Sequence, residues 1–279
     1  MINKFFKSIV NSDEIFKGIP ENDISFAKNY LENSIADAEF TYLRIKNYLS
    51  DKKNILEVGG GLHILSFFLI SKGFKVTSLE PGEFNPIISR LRTNFLKKID
   101  QDFVFTCYLE DFITNEEFDF IFSINVLEHT GDIYNHIEKM KKLKNVNGEV
   151  VIRCPNYNIP FDSHFYSFFI PRFPNFTFKK LLKNRLIKKY GKEYYENMVN
   201  NINFSCKYSN ISKNYDFEIS NPFLEIFYRL ENDSVFRRRL LKNKLLNIIY
   251  KLNKIINLTK IFKLIPKKFY PYLIIKFNF

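Results

Sequence analysis

Four short stretches carry the side chains with chemistry to offer. Glu57 stands inside the apolar run Asn54-Ile-Leu-Glu-Val58, just before Gly59-Gly60-Gly61, and Glu80 closes the run Phe74-Lys-Val-Thr-Ser-Leu-Glu80. Asn125-Val-Leu-Glu-His129 follows another apolar run, and Asp162-Ser-His164 lies in a proline-rich aromatic stretch. A carboxylate such as Glu57 is costly to bury unless it receives donors, and a nearby ammonium group would supply them. Glu80, about twenty residues past the glycines, is spaced to accept from both hydroxyls of a ribose held by the loop. His129 is the best general base of the chain, because an imidazole with a pKa of about 6.5 can take a proton from a hydroxyl nucleophile. Asp162 and His164 are suited to binding or deprotonating an acceptor, and His164 equally to a structural hydrogen bond.

The elements that must position these groups follow from periodicity. Ile55, Leu56 and Val58 are strand formers in a run too short for a helix, Gly59 to Gly61 allow positive φ and close ligand approach, and Leu62 to Ile70 reads as a buried helix. Bare N–H groups at such a helix start favour an anionic or polar ligand, at the carboxyl ends of the strands of an open α/β sheet. An ordinary strand-to-helix turn would use glycine equally well. The dinucleotide fingerprint G-x-G-x-x-G fails, because its third glycine falls on Ile64.

Residues 1–50 read as helical, with Tyr30, Leu31, Ile35, Ala38, Tyr42, Ile45 and Leu49 on a face that would pack on the sheet and lid the crevice. Further strands are expected at Asp102 to Tyr108, Phe118 to Ile124 and, after a turn at Asn147-Gly148, Glu149 to Arg153. The helix expected at Ile133 to Lys144 would turn Ile133, Ile137, Met140 and Leu143 inward and His136 outward. Cys154 to Pro174 holds four prolines and seven aromatics, so no regular structure is expected there. As a loop leaving a central strand it would stand over the crevice, with Tyr157, Phe161 and Tyr166 shaping an apolar pocket. Leu224 to Ile256 has a helical pattern, and Tyr270 to Lys276 reads as a last strand, which makes the helical segment an insertion between it and an outer strand at Tyr215 to Ile219.

Leu56-Glu-Val-Gly-Gly-Gly61, the acid of Leu79-Glu-Pro81, Phe118-Asp-Phe-Ile-Phe-Ser-Ile-Asn-Val-Leu-Glu-His129 and Gly148-Glu-Val-Val-Ile152 followed by Pro155-Asn156 carry a resemblance. Over residues 40–165 the chain resembles the class I S-adenosylmethionine-dependent methyltransferases, especially the small-molecule O-methyltransferases related to those of ubiquinone synthesis. The resemblance implies a Rossmann-like α/β fold: an open sheet of about seven strands, mostly parallel with an antiparallel last strand, helices on both faces, and here a helical insertion. It also implies that Glu57, Gly59 and Gly61, with Gly60 between them, hold the methionine end of S-adenosylmethionine, and that Glu80 holds its ribose hydroxyls. Glu110 or Asp111 would accept from the adenine amine, although two adjacent acids also suit a solvated turn. Asn125 would leave the central strand at the cofactor, with His129 and His164 catalytic toward the acceptor; Glu128 and His129 would serve equally as a helix cap. Two residues depart from the family. His63 stands where a third glycine is usual, and Asn125 where ubiquinone-pathway relatives have a Glu associated, together with the following Glu and His, with a divalent metal. With that carboxylate gone, no metal is expected.

Composition bounds the rest. The chain has 279 residues, 46% of them hydrophobic, which is ample for a core. Cys107, Cys154 and Cys206 fit neither a disulfide framework nor a zinc spacing and point to a reducing, cytoplasmic compartment. Neither a signal peptide nor a bilayer-spanning run is expected. Of a net charge of +12, the bases from Arg237 to Phe279 number twelve against no acid. Leu241, Leu245, Ile248, Ile249, Leu252, Ile255 and Ile256 form an apolar stripe there, ringed by Arg237 to Arg239, Lys242, Lys244, Lys251 and Lys254. The stripe would pack on the core, or residues 237–268 would touch anionic membrane from its inner face; nucleic acid is not the expected partner. The expected organisation is a helical cap over 1–50, a cofactor-binding core over 51–155, and a substrate loop, basic insertion and outer strands of the same domain over 156–279. The expected activity is methyl transfer to a hydroxyl of a small-molecule, glycan or lipid-linked acceptor. The alternative is a catalytically silent relative acting through its basic C-terminal segment.

Overall fold

The structure, a computed structural model, describes residues 1–10, 12–82, 85–241, 244–256, 259–262, 264–277 and 279. Short β-branched and aromatic runs form β1 (Asn54–Val58), β2 (Lys75–Leu79), β3 (Val104–Phe105), β4 (Phe118–Ile124), β5 (Lys144–Pro155), β6 (Phe161–Asp162), β7 (Ser167–Phe168), β8 (Phe217–Ile219) and β9 (Tyr272–Phe277). Seven of them make one sheet in the order β3-β2-β1-β4-β5-β9-β8. β1, β2 and β3 run parallel, whereas β9 is antiparallel to both β5 and β8. This is the mostly parallel open sheet with an antiparallel last strand expected from the sequence, and helices flank it.

By contacts the chain divides into two compact units. The first comprises Met1–Ile121, Lys144–Gly148 and Phe223–Leu264. Here β1 pairs with β2 from Asn54 opposite Lys75 to Val58 opposite Leu79, with Ile55, Leu56 and Val58 buried. Asp119 ties three segments together: it accepts from the N–H groups of Lys53 and Asn54 at 2.7 and 2.8 Å and from the Asn145 side chain at 2.5 Å. The third strand is shorter than expected, two residues in place of seven, because β3 is the sheet's edge and has a ladder on one side only. The turn expected at Asn147-Gly148 is absent, since β5 runs through both residues. A Cβ at Gly148 would lie 2.7 Å from the Phe118 carbonyl, so this glycine serves close strand approach rather than a turn. The long helix Ile24–Ile45 packs on the helix Ile64–Ile70, with Tyr42 edge-on to Phe68.

The helices of the insertion follow β8 in sequence and precede β9. Phe227, Leu230, Phe236 and Tyr250 form their core, with Ile249, Leu240 and Leu241 packed against it. The expected stripe is therefore split: Leu241 and Ile249 turn inward, while Ile248 and Leu252 face solvent beside exposed Lys251 and Lys254. Lys242 lies outside the described residues, as do the side-chain placements of Arg239, Lys244, Leu245, Ile255 and Ile256. Arg229 locks the insertion to the N-terminal helices. Its guanidinium, 2% exposed, pairs with Asp37 at 2.7 Å and Asp233 at 2.8 Å and stacks over Phe40 and Phe236 at 4.3 and 4.2 Å.

The second unit comprises Phe122–Leu143, Glu149–Pro222 and Ile265–Phe279. β5 and β9 pair from Val150 opposite Phe277 to Pro155 opposite Tyr272. The helix Ile133–Leu143 buries Ile133, His136, Ile137, Met140 and Leu143, so His136 faces inward, contrary to the sequence reading. Positions 133, 136, 137 and 140 form one three-and-four stripe, and His136 falls on it whatever its polarity. The stretch expected to lack regular structure contains the ribbon β6–β7, in which Phe161 pairs with Phe168 and Asp162 with Ser167. Among the described residues no helix is long and apolar enough to cross a membrane.

Arg229→Ala leaves Asp37 and Asp233 without their shared partner and opens the stack between Phe40 and Phe236. A loss of about 3 kcal/mol is expected, read in thermal unfolding as a midpoint lower by roughly 5–10 °C. Arg229→Lys will not restore it, because an ammonium can neither stack nor fork between two carboxylates.

Candidate functional site

The glycine loop is fixed from both sides by backbone geometry. Gly59 and Gly60 both donate to the Leu79 carbonyl, at 2.8 and 3.0 Å, which binds the end of β1 to the end of β2. Gly59 and Gly61 have φ of +84° and +56°, a region glycine enters without penalty. At Gly60 a Cβ would collide with Ser78 Oγ and His63 Nδ1, whereas at Gly61 the same position meets open space. Glu80 bends back to this loop: its Oε2 accepts from the Gly61 N–H at 2.8 Å, and its Oε1 lies 3.6 Å from Arg92.

Beneath the loop runs a buried polar chain whose members sequence reasoning named only in part. His63 Nδ1 donates to Ser78 Oγ at 2.9 Å, Ser78 donates to Glu57 Oε2 at 3.1 Å, and Ser66 donates to the same oxygen. His63 takes the left-handed conformation, φ 58°, at the start of the helix Ile64–Ile70, and its ring is folded inward, 1% exposed. The residue that replaces the usual glycine therefore supports the loop from below. Burial lowers its pKa to about 3, and Arg92 adds to the effect, so the ring is neutral. Burial pushes Glu57 up to about 7, against the two serine hydrogen bonds that favour its charged form. Ser66 and Ser78 were the missed partners. The polar pair Thr77-Ser78 inside an apolar strand was the signal that something polar had to be met there.

A second group assembles around the acids and histidines of the other unit. Asp162, fully buried, accepts from Tyr157 Oη at 3.0 Å, from His164 Nδ1 at 3.1 Å and from the Phe165 N–H at 2.8 Å. Those three donors hold its pKa below the usual carboxylate range despite burial. His164 is raised above its ordinary value, because the hydrogen bond to Asp162 and its charge outweigh burial. The His129 ring centroid is 5.0 Å from that of His164, edge to face. His129 Nδ1 donates to the Asn201 carbonyl at 3.1 Å, and burial lowers its pKa to about 4, with His164 contributing. In both histidines Nδ1 is thus occupied, and in the neutral ring Nε2 carries the lone pair. Glu128 is fully buried, neither of its carboxylate oxygens has a hydrogen-bond partner among the described residues, and burial raises its pKa to about 7. One ligand atom from each of Glu128, His129 and His164 lies within 4.8 Å of the others, a donor set that could take a divalent cation.

Asn125 is exposed at the end of β4, in left-handed conformation at φ 57°, its N–H donating to the Arg153 carbonyl at 2.8 Å. Glu110 and Asp111 form an exposed single turn with Leu109. Tyr157 is buried, Phe161 half-buried and Tyr166 exposed. A cavity of about 680 Å³ among Phe6, Leu31, Ile35, Phe40, Tyr228 and Val235 is lined by none of the groups named here.

A family model described as a methyltransferase domain matches residues 30–208. Two uncharacterized proteins of Mycobacterium tuberculosis, from two strains, are each 34% identical over 113 residues, which is 40% of this chain and 39% of theirs. The match thus spans about two fifths of the length of these curated relatives. Among solved structures, the CcbJ methyltransferase of Streptomyces caelestis is 19% identical, covering 45% of this chain and 51% of that one with a TM-score of 0.37. DesVI of Streptomyces venezuelae is 15% identical, covering 48% and 57%, with a TM-score of 0.38.

The raised pKa of Glu57 has a signed consequence for the ligand-free chain. An acid whose folded pKa lies above its unfolded value of 4.5 contributes stability at pH below 4.5, and that contribution is lost as pH rises through about 7. Glu57→Gln does not titrate. The variant is expected to gain on the native chain by up to ~3 kcal/mol between pH 5 and pH 8, measured as the difference in unfolding midpoint across a pH series.

Proposed function

Because the chain belongs to the methyltransferase domain family, we propose that the Gly59–Gly61 loop holds S-adenosylmethionine and that the Asp162–His164 pair serves the acceptor. What supports the first half is the fit of the loop. Gly60 has no room for a side chain, the Gly61 N–H and Glu80 carboxylate meet at its rim, and Glu57 is a buried acid with hydroxyl donors but, among the described residues, no cation. An ammonium group arriving beside Glu57 would lower its raised pKa and restore its charge. Glu80, released from Gly61, would accept from the two ribose hydroxyls. Glu110 and Asp111 are proposed at the adenine of the same ligand. Bound in this loop, S-adenosylmethionine supplies an electrophilic sulfonium methyl group.

The chain's own contribution at the acceptor is proton removal and orientation. Asp162 holds His164 by Nδ1 and leaves Nε2 to accept a proton from the nucleophile, while His129, neutral and fixed by the Asn201 carbonyl, lines the same place. The single observation that carries this reading is the buried Asp162 with its three donors, an expensive arrangement whose product is one oriented imidazole. An imidazole base suits a hydroxyl acceptor, and the resemblance to the ubiquinone-type O-methyltransferases supports the same choice. The acceptor is a hydroxyl of a small molecule, a glycan or a lipid-linked precursor, met in the cytoplasm.

Isothermal titration tests the first half: S-adenosylmethionine and its demethylated product should bind the native chain and not Glu80→Ala or Gly59→Val, and no binding to the native chain would sink it. For the second half, His164→Ala should lower kcat by roughly 10²–10⁴-fold. The base acts when neutral, so its raised pKa places the acidic limb of the rate profile above pH 6.5. Asp162→Asn removes the stabilising charge and should move that limb to lower pH.

One observation favours a second reading of the acceptor site. Glu128 is buried with both oxygens unpartnered among the described residues, which a divalent cation shared with His129 and His164 would explain. It would act there as a Lewis acid on the acceptor oxygen. Zinc, manganese and magnesium titrations of Glu128→Gln and the native chain decide between the two. Binding that disappears in the variant, with activity lost to a chelator, favours the cation; activity indifferent to chelation favours the imidazole base.

A further inference from the structure

In the second unit, aromatic residues of one stretch are sorted into two opposite environments. Phe165, Phe169 and Phe178 are buried and pack on one another, Phe165 against Phe178 at 5.3 Å and Phe169 against Phe178 at 5.9 Å, with Phe204 stacked on Phe178 at 5.7 Å. Tyr166, Phe168, Ile170, Phe173, Phe176 and Leu181, interleaved with them, are 44–72% exposed. A content of 32 phenylalanines does not by itself account for such sorting, since Phe165, Phe169 and Phe178 pack on one another without the outer set. Scattered exposed hydrophobics are ordinary, but six within sixteen residues are a local concentration of exposed apolar surface.

Charge marks the same segment. From Ser163 to Gly191 there is no Asp or Glu, while Arg172, Lys179, Lys180, Lys183, Arg185, Lys188 and Lys189 are all exposed. The tip is also built to leave water. Pro171 and Pro174 have no N–H, Ile170 N–H donates to Thr177 Oγ1 at 3.0 Å, Phe173 N–H to the Ile170 carbonyl at 2.9 Å, and the Thr177 N–H and hydroxyl both to the Phe173 carbonyl at 3.0 and 2.9 Å. Each N–H so met can enter an apolar phase without being stranded. Arg172 at its apex is held at φ 71°, a left-handed conformation that a non-glycine residue adopts only where its surroundings impose it.

We propose that residues 166–189 form a docking surface for an anionic lipid bilayer, with Phe168, Ile170, Phe173, Phe176 and Leu181 seated among the acyl chains and the lysines and arginines on the headgroup phosphates. The proposal is independent of the methyl-transfer reading and differs from a contact through residues 237–268. Two features favour a bilayer over nucleic acid, whose phosphates the bases would also fit. Ile170 and Leu181 have no ring on which a base could stack, and long basic side chains flanking exposed aromatics is the arrangement of an interfacial anchor.

The chain contains no tryptophan, so one introduced indole is an unambiguous reporter. Phe173→Trp in the full chain should shift its emission to the blue on vesicles of equal parts phosphatidylglycerol and phosphatidylcholine and not on phosphatidylcholine alone. Tyr108→Trp, exposed in the first unit, should not shift on either. In cosedimentation, Lys179→Glu with Lys180→Glu should weaken binding by about tenfold or more, and Phe173→Ser with Phe176→Ser likewise, with the fold checked by circular dichroism. Ile248→Ser with Leu252→Ser should leave binding unchanged. The proposal is overturned if the native chain ignores anionic vesicles, if the chain binds but Phe173→Trp stays unshifted, or if only the Ile248 and Leu252 pair abolishes binding. A blue shift with a nucleic acid duplex and none with vesicles overturns it as well.

Discussion

A carboxylate taken out of water must find donors, and this chain's candidate chemistry is arranged by how each buried acid meets that demand. Asp162 meets it in full, with a phenol, an imidazole and a backbone N–H. Because those donors come from Tyr157, His164 and Phe165, the carboxylate folds the segment around itself and fixes which nitrogen of His164 is left open. Glu57 meets it in part, with two hydroxyls on one oxygen. Glu128 does not meet it among the described residues. The three acids differ little in burial, so their raised or lowered pKa values follow from the donors available to each.

The same principle explains why the glycine loop tolerates His63. An imidazole in place of a glycine would obstruct a ligand if it projected outward. Its left-handed backbone turns the ring inward instead, where Ser78 accepts from it and passes a hydrogen bond to Glu57. Gly60 has no Cβ because Ser78 and His63 occupy that space. Loop shape and the polarity beneath it are thus one feature, and a departure from the family pattern becomes a support for the very acid the pattern shares.

Exposure of the outer aromatic set shows the converse constraint. Once Phe165, Phe169, Phe178 and Phe204 have filled the segment's core, further large apolar residues can only face out, and their cost in water is avoided only against another apolar phase. The basic stripe near the C-terminus differs in kind. Its core side is occupied, with Ile249 and Tyr250 packed on Phe227, Leu230 and Phe236, and Arg229 is held by two carboxylates of its own unit.

The sequence by itself determined the strand-loop-helix at Asn54 to Ile70, the short strand runs and the helical insertion before the last of them; their parallel and antiparallel pairing was expected only from the resemblance. Period, glycine placement and strand length are local properties, and each of these elements is set by neighbours within a dozen positions. It also marked Glu57, Glu80, His129 and His164 as groups with chemistry, because ionisable residues interrupting apolar runs are visible without coordinates. It did not reveal that Gly148 serves strand packing, that His136 faces the core, or that Ser66, Ser78, Arg92 and Asn201 are the partners. Those facts depend on which atoms meet across the fold: Glu57 with Ser78 over twenty-one positions, His129 with Asn201 over seventy-two. Tertiary structure alone decided the state of each ionisable group and which aromatics lie inside, since both are set by burial and by donors brought from far along the chain.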